Sequence, residues 1–106
     1  MLVKHKDAKT TTPFPLITRR ILAYSEKVMV TEHALEKGAV LPDHKHTHEQ
    51  LVYLLSGEIL LEIDSENIKM LPGDSVAIPS NANHKATAVK ESVVLDIFVP
   101  ARTDYL

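Results

Sequence analysis

Short extended runs rich in β-branched and aromatic residues make up most of this sequence, and turn-forming residues separate them every ~8 to 12 positions. Residues 19–26 and 27–36 are two such runs, and Glu36-Lys37-Gly38 follows them as a turn. No segment has the apolar spacing of a ten-residue amphipathic helix. The pattern therefore predicts an all-β sandwich or barrel.

The chain has 106 residues, less than an average domain, so we expect one domain. Residues 1–18 carry polar residues and two prolines that interrupt any strand or helix period. We predict an N-terminal extension here, either frayed or paired as an edge strand in a dimer. Residues 19–106 are predicted to form the domain.

Composition excludes several classes of function. There is no Cys, which rules out disulfides, thiolate metal sites and a cysteine nucleophile. The net charge of −2 offers no basic field for nucleic acid or an anionic membrane. The longest apolar runs are about five residues, far short of the ~20 that span a bilayer. The N-terminus has no signal-peptide core, so we expect a cytoplasmic protein.

Histidines are concentrated in one short stretch. His44, His46 and His48 lie within five residues, and His84 follows a later predicted strand. If the stretch were one extended strand, these three and Gln50 would point to the same face. A lone histidine is usually a surface residue or a satisfied hydrogen-bonding group. A cluster this dense instead indicates a metal site, with His48 placed at its rim or beside the ligands.

Two motifs carry a family resemblance. In this chain Gly38, His44, His46, Gln50 and Gly57 have a spacing that resembles the first cupin motif. Gly73, Pro79 and His84 have a spacing that resembles the second cupin motif. The resemblance implies a double-stranded β-helix, which is a jelly-roll barrel. It also implies that a metal is held inside the barrel by His44, His46, Gln50 and His84.

The sequence departs from the cupin pattern at Gln50, where Glu is usual; Glu49 lies beside it but should face the other way. Asn81 stands where Gly is common, and Asn tolerates a positive φ. Three imidazoles and one amide oxygen add no charge, so a bound cation would stay strongly Lewis acidic. Such donors suit one divalent transition metal, with Ni, Zn, Fe, Mn and Cu all left open.

The last predicted strand places an acid among apolar residues. Asp96 and Phe98 share one face by the two-residue period, while Leu95, Ile97 and Val99 share the other. An inward acid needs a partner or a task. Asp96 therefore either pairs with another side chain in a structural role, or is exposed, or acts as a general acid/base in a metal-lined barrel. In the last case Arg102 would lie at the rim, where its guanidinium is suited to bind a carboxylate.

Residues 35–106 resemble the KdgF-type cupins of pectin degradation, through HKHTHEQLVYLLSGE, LPGDSVAIP and DIFVPARTDYL. The resemblance implies conversion of 4,5-unsaturated monouronates from pectin or alginate into linear ketonised sugars. It implies that Asp96, Phe98 and Arg102 act on a small acidic sugar. The same ending occurs in small cupins without an assigned substrate, so function does not follow automatically.

Two other functions stay open at this point. Small cupins include metal-dependent oxygenases, and a three-histidine site with open positions could bind O₂. A barrel of this kind could also bind a sugar without converting it. The family resemblance further implies a homodimer, and we predict that residues 1–24 form its interface.

Overall fold

Ten β-strands form almost all of the regular structure in the computed structural model, which describes residues 1–106. In chain order they are β1 (Lys9–Phe14), β2 (Ile17–Tyr24), β3 (Met29–Leu35), β4 (Val40–His44), β5 (Glu49–Ser56), β6 (Ile59–Ile63), β7 (Glu66–Met70), β8 (Ser75–Ile78), β9 (His84–Ala88) and β10 (Ser92–Val99). Two short 3₁₀ turns lie at His5–Asp7 and Thr103–Tyr105. The all-β prediction is confirmed. The structure contains no helix with the length and apolar character needed to cross a bilayer.

The strands divide into two antiparallel sheets. One sheet has six strands in the order β1-β2-β3-β10-β5-β8, and the other has four in the order β4-β9-β6-β7. Their inner faces share one apolar core, formed by Ile17, Leu35, Ala39, Val52, Leu54, Ile59, Leu61, Met70, Ile78, Ala82, Ala88 and Val94. Because every β-strand alternates its side chains, one half of each long strand reaches this interior.

The period of two predicts the inward residues of the long strands. On β10, Asp96 and Phe98 are buried, while Val99 is exposed and Ile97 partly so, as expected from the alternation. On β3 the buried set is Met29, Thr31, His33 and Leu35. His33 therefore points into the interior.

Strand register brings distant residues together around β10. In the β2–β3 pair, Arg19 lies opposite His33. In the β3–β10 pair, Asp96 lies opposite Thr31, so His33 is its diagonal neighbour. In the β5–β10 pair, Phe98 lies opposite Gln50. Four adjacent strands thus present polar side chains to one region of the interior.

The expectation of one continuous strand through the histidine stretch is wrong. β4 ends at His44, residues 45–48 cross from the four-stranded to the six-stranded sheet, and β5 begins at Glu49. His44 and His46 come together because the chain changes sheets, not because they share strand parity. The strands flanking Pro72-Gly73-Asp74 also belong to different sheets and do not pair with each other.

The crossings between sheets depend on unusual backbone conformations. Asn81 has a φ of +64°, as its tolerance of positive φ suggested. Gly57 joins β5 to β6 with a φ of +91°, and a Cβ at this position would overlap the Glu91 carbonyl and the Ser92 side chain. Only glycine fits such a site without strain.

The N-terminal residues contribute to the sheet. β1 is the edge strand of the six-stranded sheet and pairs with β2, with Lys9 opposite Ile21. Ile17 is almost fully buried and belongs to the main core. Much of the segment expected as an extension therefore packs with the domain, and its outer edge has no strand partner within the chain.

Candidate active site

Three histidines from different parts of the chain converge at one end of the interior. His44 is the last residue of β4, His46 lies in the crossing, and His84 is the first residue of β9. One ring nitrogen from each lies within 4.8 Å of the others. The backbone register supports this arrangement, since His44 lies directly opposite His84.

Backbone carbonyls orient all three rings in the same way. The Nδ1 atoms of His44, His46 and His84 lie 2.8 Å, 3.0 Å and 2.9 Å from the carbonyl oxygens of Pro42, His48 and Ala82. A carbonyl oxygen can only accept a hydrogen bond, so each Nδ1 carries the proton. Each Nε2 is then left with a free lone pair, which is the arrangement of metal-ligating histidines.

Gln50 supplies an oxygen to the same place. Its side-chain nitrogen donates a hydrogen bond of 2.8 Å to Asp96 Oδ1, which fixes the orientation of the amide. Gln50 Oε1 therefore lies 3.1 Å from His46 Nε2. Because His46 Nδ1 already holds the ring proton, two lone pairs face each other across this gap. The Nε2 of His84 is also buried without a partner.

These observations fit a bound cation, since lone pairs from three imidazoles and one amide would otherwise be left facing one another. Burial, helped by the nearby Arg102 charge, lowers the pKa of His46 to about 4. Burial also lowers the pKa of His84. Neutral imidazole is the form that binds a metal, so these two residues are ready to ligate at neutral pH.

Asp96 lies beside the histidines as a buried carboxylate with two partners. Oδ1 accepts the hydrogen bond from Gln50, and Oδ2 lies 2.7 Å from His33 Nδ1. Arg19 Nε in turn donates a hydrogen bond of 3.1 Å to His33 Nε2. Asp96 therefore points into the interior, one of the alternatives that the sequence left open, and its partners are a proposed metal ligand and a histidine outside the triad.

Arg102 is buried at the same end of the interior, close to aromatic rings. Its Nε and Nη2 donate hydrogen bonds of 3.0 Å and 2.8 Å to the two carboxylate oxygens of Asp104. These bonds lower the pKa of Asp104. The Arg102 guanidinium carbon lies 4.2 Å from the centre of the Tyr105 ring and 5.0 Å from that of Phe98. Arg102 Nη1 is buried with no partner.

Phe98 is almost fully buried and connects the metal-ligand candidates to Arg102. Its ring packs edge-on against His46 and Tyr105, with both centroid distances at 5.8 Å. His48 packs against His46 at 5.5 Å and does not join the triad. His48 thus lies beside the candidate ligands and is not one of them.

A single cavity of about 310 Å³ joins these groups. The core side chains line its apolar part, and its polar lining is Arg19, His33, Asp43, His44, Gln50, His84, Asp96, Arg102 and Tyr105. Phe98 also lines it, and His46 adjoins it through contacts with His84 and Phe98. The structure therefore gathers all seven residues singled out from the sequence. The volume lies near the lower end of the ~300–1,000 Å³ typical of small-molecule sites.

Sequence reasoning did not identify Arg19, His33 or Tyr105 as residues of this site. The guanidinium carbon of Arg19 lies 3.7 Å from the centre of the Tyr105 ring, so this ring contacts the guanidiniums of both Arg19 and Arg102. The alternation of β3 could have placed His33 on the same face as Met29 and Leu35. No local signal identifies Arg19, because its position depends on the pairing of β2 with β3.

The chain matches the Cupin_2 family, described as a cupin domain, over residues 31–99. Pectin degradation protein KdgF of Dickeya dadantii (strain 3937) is 33% identical over 92 residues, covering 85% of this chain and 84% of that protein. The structure of KdgF from Halomonas sp. has a TM-score of 0.91 and 31% identity, over 99% of this chain and 96% of that one. An RmlC-like cupin from Shewanella frigidimarina NCIMB 400 has a TM-score of 0.94 and 25% identity, over 99% and 95% of the two chains.

Proposed function

Since this chain belongs to the Cupin_2 family, we propose that it is a metal-dependent enzyme that converts 4,5-unsaturated monouronates into linear ketonised sugars. The observation that carries the proposal is that Asp96 and Arg102 line the same cavity as His44 and His84. A proton-transfer group, a carboxylate-binding group and a metal-binding group thus face one small-molecule space.

The metal-binding part consists of His44, His46, His84 and Gln50. Their free lone pairs would hold one divalent transition metal, and Ni, Zn, Fe, Mn or Cu would each accept this donor set. When bound, the metal would act as a Lewis acid on sugar oxygens. The protein's own contribution is to hold the three rings by their Nδ1 atoms and the amide by its hydrogen bond to Asp96.

The substrate-binding part would select a small acid. Arg102 has one buried nitrogen without a partner, and a guanidinium matches a carboxylate well. Phe98 offers a ring beside Arg102 and His46 against which a sugar face could pack. The small volume favours a monosaccharide over a polymer chain.

The reaction is an isomerisation that needs no oxidant or added water. Asp96 takes the proton from the anomeric hydroxyl as the C1–O5 bond breaks and an aldehyde forms at C1. The electron pair passes to O5, which leaves an enolate at C5. The enolate becomes a ketone when C4 receives a proton, and Asp96 can return the one it holds. Arg102 holds the carboxylate during both transfers.

The test uses protein loaded with each candidate metal and an unsaturated galacturonate, whose ultraviolet absorbance disappears when the double bond is lost. We expect many turnovers per protein molecule, and at least a 100-fold loss in Asp96→Ala measured at equal metal content. An Asp96→Ala variant that keeps its metal and its turnover would remove Asp96 from the mechanism.

Two further measurements, of uronate binding and of oxygen consumption, separate the competing functions. Uronate binding without conversion by the metal-loaded protein would indicate a sugar-binding module. Oxygen consumption with a phenolic or thiol substrate would indicate an oxygenase. The two polar groups Asp96 and Arg102 favour the uronate, because an apolar aromatic substrate needs neither of them.

We also propose that the protein acts as a cytoplasmic homodimer. The outer edge of β1 has no partner strand within the chain, and its residues Lys9–Thr12 are exposed. An unpaired sheet edge is a template for pairing with a second copy. This keeps residues 1–24 as the proposed interface.

A further inference from the structure

A row of three polar residues crosses three neighbouring strands and ends at Asp96, the proposed proton-transfer group. Arg19 on β2 bonds to His33 on β3, and His33 bonds to Asp96 on β10. His33 and Asp96 are both more than nine-tenths buried. We propose that His33 is a positioning residue that holds the Asp96 carboxylate for proton transfer, and that Arg19 holds the same ring by donating to its unprotonated Nε2. The inference rests on the proposed function through the role of Asp96.

The tautomer of His33 follows from its two neighbours. An arginine Nε–H can only donate, so His33 Nε2 must accept at 3.1 Å. A neutral ring then carries its single proton on Nδ1, which faces Asp96 Oδ2 at 2.7 Å and donates to it. A doubly protonated ring would put two donors face to face at Arg19. The row therefore favours one neutral form of His33.

This arrangement gives Asp96 one fixed orientation. Oδ2 is held by His33 and Oδ1 by the Gln50 amide, so both oxygens are tied and the carboxylate plane cannot turn freely. An ionised carboxylate has about four lone-pair positions, and these two bonds leave others free for a substrate proton. Removing the His33 bond would leave Asp96 buried but free to rotate about its remaining bond to Gln50.

His33 is unsuited to other tasks in the site. Both its ring nitrogens are engaged within the protein, so it has no lone pair for a metal. It also stands apart from the triad of His44, His46 and His84. The backbone sets its place, because Arg19 and His33 are directly opposed and His33 and Asp96 are diagonal neighbours.

The kinetic test compares His33→Leu with His33→Asn. Leucine removes the donor, whereas the Asn amide offers an N–H close to the position of Nδ1. A misplaced catalytic group costs about 100-fold in rate, so we expect His33→Leu to lower kcat by ~10- to 100-fold. KM and metal content should stay within about threefold, since the Arg102 and triad contacts remain. His33→Asn should recover most of kcat.

A matched control lies on the same face of the same strand. Thr31 is fully buried opposite Asp96, and its hydroxyl has no partner. Thr31→Val removes a polar group next to Asp96 without removing a hydrogen bond to it, so kcat should be unchanged. An unchanged kcat in His33→Leu, or an Asn variant no better than Leu, would overturn the positioning role.

A second readout does not depend on turnover. Long-range proton–nitrogen correlation spectra of the metal-free protein should show His33 protonated on Nδ1 only. Arg19→Met should remove the hydrogen bond at Nε2, so the Nε2 signal should shift from its wild-type position while Nδ1, which still faces Asp96, stays protonated. An Nε2-protonated His33 in the wild type, or no change in Arg19→Met, would overturn the proposal. If the wild type converted no uronate, the proposed function would fail, and these spectra would still decide the tautomer claim.

Discussion

The Gln50 side-chain nitrogen donates a hydrogen bond of 2.8 Å to Asp96 Oδ1. This bond links a proposed metal ligand to the proposed proton-transfer group, and it accounts for a departure from the usual cupin pattern. A Glu at position 50 would have no N–H to donate, and it would bring a second carboxylate against Asp96. An amide serves both neighbours, with nitrogen toward Asp96 and oxygen toward His46.

Gln50→Glu should therefore damage the site although it restores the usual cupin residue. Two carboxylates would compete for one buried place, and one must take up a proton or turn away. We expect the metal-free variant to lose ~1–3 kcal/mol of unfolding free energy, and turnover of the loaded variant to fall at least tenfold. Denaturant unfolding and the uronate assay measure these effects. Glu49→Gln, on the exposed neighbour, is the control and should change neither.

His84→Ala should abolish stable metal binding. His84 contributes a buried Nε2 with no other partner, so its loss removes one of three imidazole ligands. Metal analysis after dialysis should find wild type near one metal per chain and the variant with little. Excess metal should raise the Tm of the wild type only, because a ligand stabilises the state that binds it. His48→Ala, outside the triad, should retain its metal; equal retention by His84→Ala would contradict the ligand set.

The metal-free protein should lose stability as the pH falls below about 6.5. Burial lowers the pKa of His46 to about 4, and it also lowers the pKa values of His84 and His48. Above pH ~6.5 these rings are neutral in both states and contribute no slope. Between about pH 6.5 and pH 4 the unfolded chain binds protons that the folded chain does not bind, so the unfolding free energy declines.

For His46 the decline should level off below about pH 4, where the folded state also binds the proton. Because this ring is only partly buried, we expect it to account for no more than ~1–2 kcal/mol. Denaturant unfolding of the metal-free protein across this range gives the slope. His46→Asn should have a flatter profile, and an identical profile in the variant would mean that His46 is not responsible.

Arg102→Ala should weaken substrate binding more than Asp104→Asn does. A hydrogen bond to a charged group contributes ~1.5–3 kcal/mol, so losing Arg102 should raise KM about 10- to 100-fold. Asp104 holds the guanidinium by two bonds, but its side chain is 56% exposed. Asp104→Asn should therefore raise KM only a fewfold. Steady-state kinetics give both values, and a KM unchanged in Arg102→Ala would remove Arg102 from carboxylate binding.

Light scattering of the full chain should give twice the chain mass of 11.8 kDa. If the exposed edge of β1 forms the interface, Thr11→Pro should shift the mass toward that of a monomer, because proline cannot donate to a sheet ladder. Tyr53 is exposed on β5, away from that edge. Tyr53→Lys is the control and should remain dimeric. A monomeric wild type, or dissociation only in Tyr53→Lys, would exclude the β1 interface.

Local alternation predicted the inward residues well, because side-chain direction in a strand depends only on parity. Asp96 and Phe98 share one face as expected, and the structure shows that this face is buried, as is the face of β3 that carries Met29 and Leu35. The same logic failed for the histidine stretch, where β4 ends at His44 and the chain crosses to the other sheet. Parity holds within a strand and gives no information across a change of sheet.

The sequence by itself determined the all-β fold class, through period and turn chemistry. Through its two motifs and its family resemblance it also identified seven candidate site residues. Only the tertiary structure decided how those residues are held. Arg19, His33 and Asp96 form one row because β2, β3 and β10 are adjacent, and Gln50 bonds to Asp96 because β5 pairs with β10 on its other edge. Strand order and register arise from packing of the whole core, so no local pattern records them.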